Sequence, residues 1–194
     1  MSKIKGGISG KMTAYIKKSG DNGGVYLYTA ANEEAPGGAY VYMVNGYMAC
    51  RVGLAWYKSE LQPFTCMDAP EIGQTKTLTG KARDGASVVK IVEDALASSD
   101  KAFFTGFTRD CGSQKKQGRI FTSENGQPIM VDASLLDLFN SPHYYTMRTS
   151  IAPMALHKCG DFGWVDAIVM PLRIGDDLKP VADVIAQAKL AQIG

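Results

Sequence analysis

The sequence predicts an α+β protein, mostly antiparallel sheet with two or three helices, and three observations carry that reading. Ala39 to Val44 and Tyr47 to Tyr57 are apolar, β-prone runs that flank Asn45-Gly46, a dipeptide suited to a tight hairpin. Val165 to Met170 is apolar almost without a break, as in a strand buried on both faces. Between these lies one stretch of helical period, Val88, Val89, Ile91, Val92, Ala95 and Leu96. Helices inserted among strands, rather than alternating with them, define the class.

Taken in order, Lys11 to Lys18 alternates, with Met12, Ala14 and Ile16 on one face. Gly20 to Gly24 is a turn by composition, Val25 to Tyr28 a strand, and Asn32 to Gly38 a loop. With the Asn45-Gly46 hairpin these make a four-stranded meander, and residues 1–80 are expected to form a β-rich subdomain. Residues 60–84 read as an irregular connection, marked by Gln62-Pro63, Ala69-Pro70 and a stretch rich in Thr and Lys from Gly73 to Gly80. Residues 81–194 are expected to form an α+β subdomain ending in a helix. Asp84-Gly85 starts the first helix of this half and Ser98-Ser99-Asp100 ends it. Strands follow at Phe103–Thr108, Arg119–Ser123 and Pro128–Asp132, then a short helix over Ala133–Asn140 that Ser141-Pro142 breaks. Asp176-Asp177, with Pro180 in the first turn, caps a final helix with a stripe of Leu178, Val181, Val184, Ile185 and Ala188.

Composition sets bounds on function. A hydrophobic fraction of 45% and a charged fraction of 21% describe a globular chain. A net charge of +2 is too mild to announce a nucleic-acid binder, although a groove can segregate charge within a near-neutral total. No run is long enough for a membrane span, and the N-terminus lacks the apolar core of a secretory signal. Cys50, Cys66, Cys111 and Cys159 are widely spaced without a C-x-x-C pair, which fits reduced thiols and a cytoplasmic location.

Candidate chemistry is sparse. Gly6 to Thr13 imitates a phosphate loop, but the motif wants Gly at position 5 and Ser or Thr at position 12, where Lys5 and Met12 stand. His157 and Cys159 share a strand face and could chelate, yet His143 and Cys111 add no paired spacing for further ligands. No catalytic residue, metal or cofactor is therefore expected, and the chain is read as non-enzymatic. Tyr26 and Tyr28 share one face, as do Tyr40 and Tyr42, with Lys and Arg interleaved. Such tyrosines suit packing in a half-buried sheet, an assembly face, or a stacking platform for a single nucleic-acid strand. Lys115, Lys116 and Arg119 form a small basic turn able to meet phosphates.

One stretch resembles a known family. Val131-Asp132-Ala133-Ser134-Leu135-Leu136-Asp137-Leu138-Phe139, then His143 to Arg148, then Ile151-Ala152-Pro153-Met154-Ala155-Leu156, and finally Ile168-Val169-Met170-Pro171-Leu172-Arg173-Ile174 follow one another over about a quarter of the chain. In order and spacing they resemble the end of the last domain of bacterial DNA sliding clamps. That domain runs from a strand through a short helix and further strands to a terminal "MPxRL". The resemblance implies a clamp-like C-terminal half, in which Val169, Met170, Pro171, Leu172 and Arg173 line an apolar groove for client peptides of polymerase type. It also implies self-association into a ring around duplex DNA, met without sequence specificity through residues such as Lys115, Lys116 and Arg119. The chain is shorter than the three-domain clamp, continues twenty residues past Ile174, and lacks the likeness over residues 1–80. The implied protein is a reduced relative, of the kind a virus or mobile element encodes. Two alternatives stand beside this DNA-replication accessory role: a single-strand binder using Tyr26, Tyr28, Tyr40 and Tyr42, and a virion-type structural assembly protein.

Overall fold

Among the described residues ten strands form one sheet: β1 (Val25–Ala31), β2 (Ala39–Asn45), β3 (Met48–Gly53), β4 (Thr75–Thr79), β5 (Lys101–Cys111), β6 (Lys116–Ser123), β7 (Pro128–Asp132), β8 (Tyr144–Thr146), β9 (Met154–Cys159) and β10 (Val165–Val169). Every neighbouring pair is antiparallel, in the order β4-β1-β2-β3-β10-β9-β8-β5-β6-β7. The computed structural model describes residues 25–65, 67–79, 84–111, 116–139, 142–159 and 165–172. The expected strand at Lys11–Lys18, the final helix, Lys115 and Arg173 lie outside them. The α+β class expected from the sequence is the class observed.

The β2–β3 hairpin falls where Asn45-Gly46 placed it, but for a different reason. Neither residue takes a positive φ. Instead Asn45 Oδ1 accepts from the N–H groups of Tyr47 (2.9 Å) and Met48 (3.1 Å), so the side chain itself closes the turn.

β3 is shorter than predicted. It ends at Gly53, and the chain turns into α1 (Leu54–Trp56), a π-helical turn (Tyr57–Leu61) and α2 (Gln62–Thr65). Leu54, Tyr57 and Leu61 recur at helical spacing, and Tyr57 and Leu61 are fully buried. The wide turn lies just ahead of Pro63, which has no N–H to donate. The stretch expected to be irregular also holds β4, whose β-prone Thr75-Lys76-Thr77-Leu78-Thr79 pairs with β1.

α3 (Gly85–Leu96) is the longest helix among the described residues and lies where its periodicity placed it. Asp84 caps it, accepting from Ala86 N, Ser87 N and Ser87 Oγ. α4 (Ala133–Leu136) is a single turn, shorter than the sequence implied, capped by Asp132 through Ser134 N at 2.9 Å. Among the described residues no helix is long and apolar enough to cross a membrane.

Two apolar layers result. Leu27, Val41, Met43, Cys50 and Val52 of the first strands join Phe121, Val131, Met154, Leu156, Ala167 and Val169 in a single core. The opposite face of β1, β2, β3, β9 and β10 is covered by α3 through Val88, Val92 and Ala95. The far half of the sheet curls back on itself. Beyond β10, Pro171 bridges Val131 of β7, and Leu172 N donates to Met130 O at 2.8 Å. The strand that follows β3 in the order thus also touches the last strand of the sheet.

Candidate functional site

The end of the sheet that carries Met170 holds an apolar cleft. Its floor is β-sheet: Tyr26 of β1, Val44 of β2, Met48 and Ala49 of β3, Ile168 of β10. Its walls are α3, through Val88 and Ile91, and the residues Asn45, Gly46 and Met170. The cavity measures about 120 Å³. That is below the ~300–1,000 Å³ of small-molecule pockets and suits one large apolar side chain. Ile91 and Met170 face solvent at its mouth, 48% and 39% exposed. The rim is tied down, since Met170 N donates to Tyr47 O at 2.8 Å and so fastens the ribbon after β10 to the hairpin turn.

A charged network holds α3 against the sheet and so sets the width of the cleft. Arg51 of β3 reaches both Glu93 of α3, through a short Nη1–Oε2 contact, and Asp166 of β10, at 3.0 Å and 3.1 Å. Its guanidinium lies 4.6 Å from the centre of the Tyr40 ring. Tyr42 OH donates to Glu93 Oε1 at 2.6 Å. Burial and then the hydrogen bond to Glu93 raise the Tyr42 pKa, so its hydroxyl stays protonated. Burial works against the charge on Arg51, but Glu93 and Asp166 outweigh it and hold the guanidinium protonated. The remaining oxygen of Asp166 accepts from Lys158 N at 3.0 Å, where Lys158 takes a left-handed φ of 51° at an irregularity in β9. Every group here has its partner, and the network reads as a fastening.

The predicted groove residues separate. Val169 points into the main core and is fully buried, Met170 lines the cleft, and Pro171 and Leu172 turn toward β7. The period of two explains it, because neighbouring residues on a ribbon cannot line one wall. The tyrosines are also placed differently from a stacking platform. Tyr26 and Tyr42, 3% and 2% exposed, lie beneath α3, and Tyr28 and Tyr40 are half-buried beside them. A Cβ at Gly85 would meet the Tyr28 ring at 2.2 Å, so the helix start lies flat on that ring. Tyr40 carries the Arg51 guanidinium over its ring, and Tyr28 carries the helix start. Arg119 is half-buried and paired with Asp137 at 2.7 Å; the Lys116 side chain, like Lys115, is outside the described residues. The exposed face of α3 carries Lys90 and Asp94, one charge of each sign.

His157 Nε2 lies 2.8 Å from Thr146 Oγ1 and stacks on Tyr144 at 4.3 Å, and burial lowers its pKa. Cys50 and Cys159 are buried thiols; burial pushes Cys50 up to about 12 and raises Cys159 as well, so neither is a thiolate. Among the described residues no group of three His, Cys, Asp or Glu side chains is placed to hold a metal. Of the residues that line the cleft, Met170 alone was in the predicted groove, and the exposed one that sequence reasoning passed over is Ile91. The signal was available: Val88, Val89, Ile91, Val92, Ala95 and Leu96 make a stripe wider than one buried helix face, so an edge position had to remain outside.

No family model, no curated protein and no solved structure matches this chain.

Proposed function

We propose that this is a non-enzymatic accessory protein, clamp-like in that a cleft beside the Met170-Pro171 ribbon receives an apolar side chain from a protein guest. The observation that carries the reading is the pair of exposed walls, Ile91 and Met170, standing over a preformed apolar floor. Exposed large apolar residues that rim a concave site mark interaction surfaces. Burying one Leu or Phe of a guest there contributes roughly 1.5–3 kcal/mol, which makes a weak, exchangeable site unless flanking contacts add to it. A thioether on one wall suits guests of differing shape. The order strand, short helix, three strands, from β7 through α4 to β10, supports the clamp-like reading of this half. Duplex DNA is the less supported part of that reading, because Arg119 is engaged by Asp137 and α3 presents mixed charge.

The test is fluorescence anisotropy with labelled short peptides that carry one Leu, Phe or Met. Wild-type protein should bind a subset of them, and Ile91→Asp should abolish binding while leaving the unfolding midpoint close to wild type. Equal binding by wild type and Ile91→Asp sinks the proposal. Retention on closed circular but not linear duplex, lost at raised salt, tests the DNA part separately.

A further inference from the structure

One face of the sheet is sealed although, among the described residues, no helix packs on it. On β6 and β7, Phe121, Ile129 and Val131 turn into the main core, so Ile120, Thr122 and Met130 turn to the opposite face. That face should be open, yet the three are 2%, 3% and 4% exposed. They belong to neither of the two apolar layers. The nearest helices are engaged elsewhere. α3 packs over β1, β2, β3, β9 and β10, and α4 turns Leu135 and Leu136 into the main core. Phe103, level with Thr122, is itself 47% exposed and accounts for one edge at most.

The chain supplies a cover of the right kind at the right place. Leu172 N donates to Met130 O at 2.8 Å, so the ribbon after β10 runs along the rim of this face. Residues 173–194 follow it directly. Their sequence holds Leu178, Val181, Val184, Ile185 and Ala188 at helical spacing, an apolar stripe that needs a surface. From Leu172 to Asp176 the chain reaches up to about 14 Å, enough to turn onto β7. Neighbouring strands lie about 5 Å apart and a helix is about 10 Å across, so one helix covers both strands. Other segments outside the described residues fit less well. Residues 112–115 are polar or glycine, and residues 160–164 close the β9–β10 turn, with β8 and β5 between them and β6. Residues 1–24 join β1, which β2 and β3 separate from β10 and its ribbon.

We propose that residues 176–188 dock on the outer face of β6 and β7, seating Val181, Val184 and Ile185 on Ile120, Thr122 and Met130. Ile168, Met170 and Leu172 alternate onto that same face, so α3 and the docked segment flank Met170 from two sides. The ribbon carries the segment away from the cleft, which stays open to a guest from elsewhere. The inference stands apart from the cleft reading, since it assigns the carboxyl-terminal segment its surface whether or not a guest binds.

Thiol labelling of the full chain tests it. Met130→Cys places a reactive group beneath the docked segment, and mass spectrometry of the digested protein reads that position apart from the native cysteines. Labelling should be slow in Met130→Cys alone and about tenfold faster once Val184→Asp is added, because local opening becomes easier. Asp183→Lys, on the opposite side of the helical turn, should leave the rate unchanged. A benzophenone side chain at position 184 should crosslink to peptides from β6 or β7 of the same molecule. Three results would overturn the inference. In the first, labelling at position 130 ignores Val184→Asp in a chain that circular dichroism shows folded. In the second, position 184 crosslinks to α3 or to a second molecule. In the third, Ile16→Asp frees position 130 and Val184→Asp does not, which assigns the cover to residues 1–24.

Discussion

Replacing Arg51 by Met removes the cation shared by Glu93 of α3 and Asp166 of β10, while keeping most of the apolar stem that packs beside Tyr40. The Arg51 side chain is 17% exposed and its two partners 39% and 22%. Removing one partner of a fully buried ion pair costs about 3–5 kcal/mol, because the other charge is left uncompensated. Here water reaches both carboxylates in part, so the cost is discounted to about 1.5–3 kcal/mol. In a chain of this size that lowers Tm by roughly 3–10 °C. Glu93→Gln gives the contrast: it removes one charge, leaves an oxygen to accept from Tyr42, and leaves Arg51 on Asp166, so it should cost about 0.5–1.5 kcal/mol. Urea unfolding followed by tryptophan fluorescence and circular dichroism measures both. Because the network fastens α3 over the cleft, Arg51→Met should also loosen that helix, seen as faster amide exchange in Gly85–Leu96 at unchanged exchange in β9. An Arg51→Met variant within 0.5 kcal/mol of wild type, or one no worse than Glu93→Gln, would show that apolar packing alone seats the helix.

Three further outcomes follow from the same geometry. Gly85→Ala, usually a stabilising change at a helix start, should here cost about 1–3 kcal/mol in urea unfolding, because the new methyl would lie 2.2 Å from the Tyr28 ring; a gain in stability would contradict the close approach. Asn45→Ala should lose about 1 kcal/mol by removing the side-chain acceptor shared by the Tyr47 and Met48 N–H groups, whereas Asn45→Asp keeps the acceptor and should lose less. Burial lowers the His157 pKa below its unfolded value of 6.5, so the unfolded chain binds the extra proton first as pH falls. Stability should therefore decline from about pH 6.5 downward through the folded pKa, and His157→Gln should flatten that segment of the stability–pH curve; an unchanged slope would refute the assignment.

Local chemistry was legible wherever one residue or one period carries the information. Asp84 announces α3, the spacing of Val88, Val92 and Ala95 announces its buried face, and Asn45 marks the hairpin. The errors fall where two periods compete. Tyr47 to Tyr57 is apolar enough for a strand, yet Leu54, Tyr57 and Leu61 already carry the helical interval that the chain adopts after Gly53. The tyrosines illustrate a different ambiguity. Alternation says that Tyr26 with Tyr28, and Tyr40 with Tyr42, share a sheet face, but a face covered by a helix and a face open to a ligand have the same alternation.

The site belongs to the second category. Ile91 and Met170 lie seventy-nine positions apart, and they face each other because β3 pairs with β10 and Arg51 grips residues from two other elements. Side-chain periodicity and capping are interactions over a few residues, so the chain's own order records them: the amphipathic helix α3, the Asn45-Gly46 hairpin and an antiparallel class. Which surfaces are sealed and which remain open depends on contacts between segments distant along the chain, and their closure rests on the sum of packing over the whole sheet. That is why Val169 went inside, Met170 stayed at a mouth, and the two could not be told apart by reading along the ribbon.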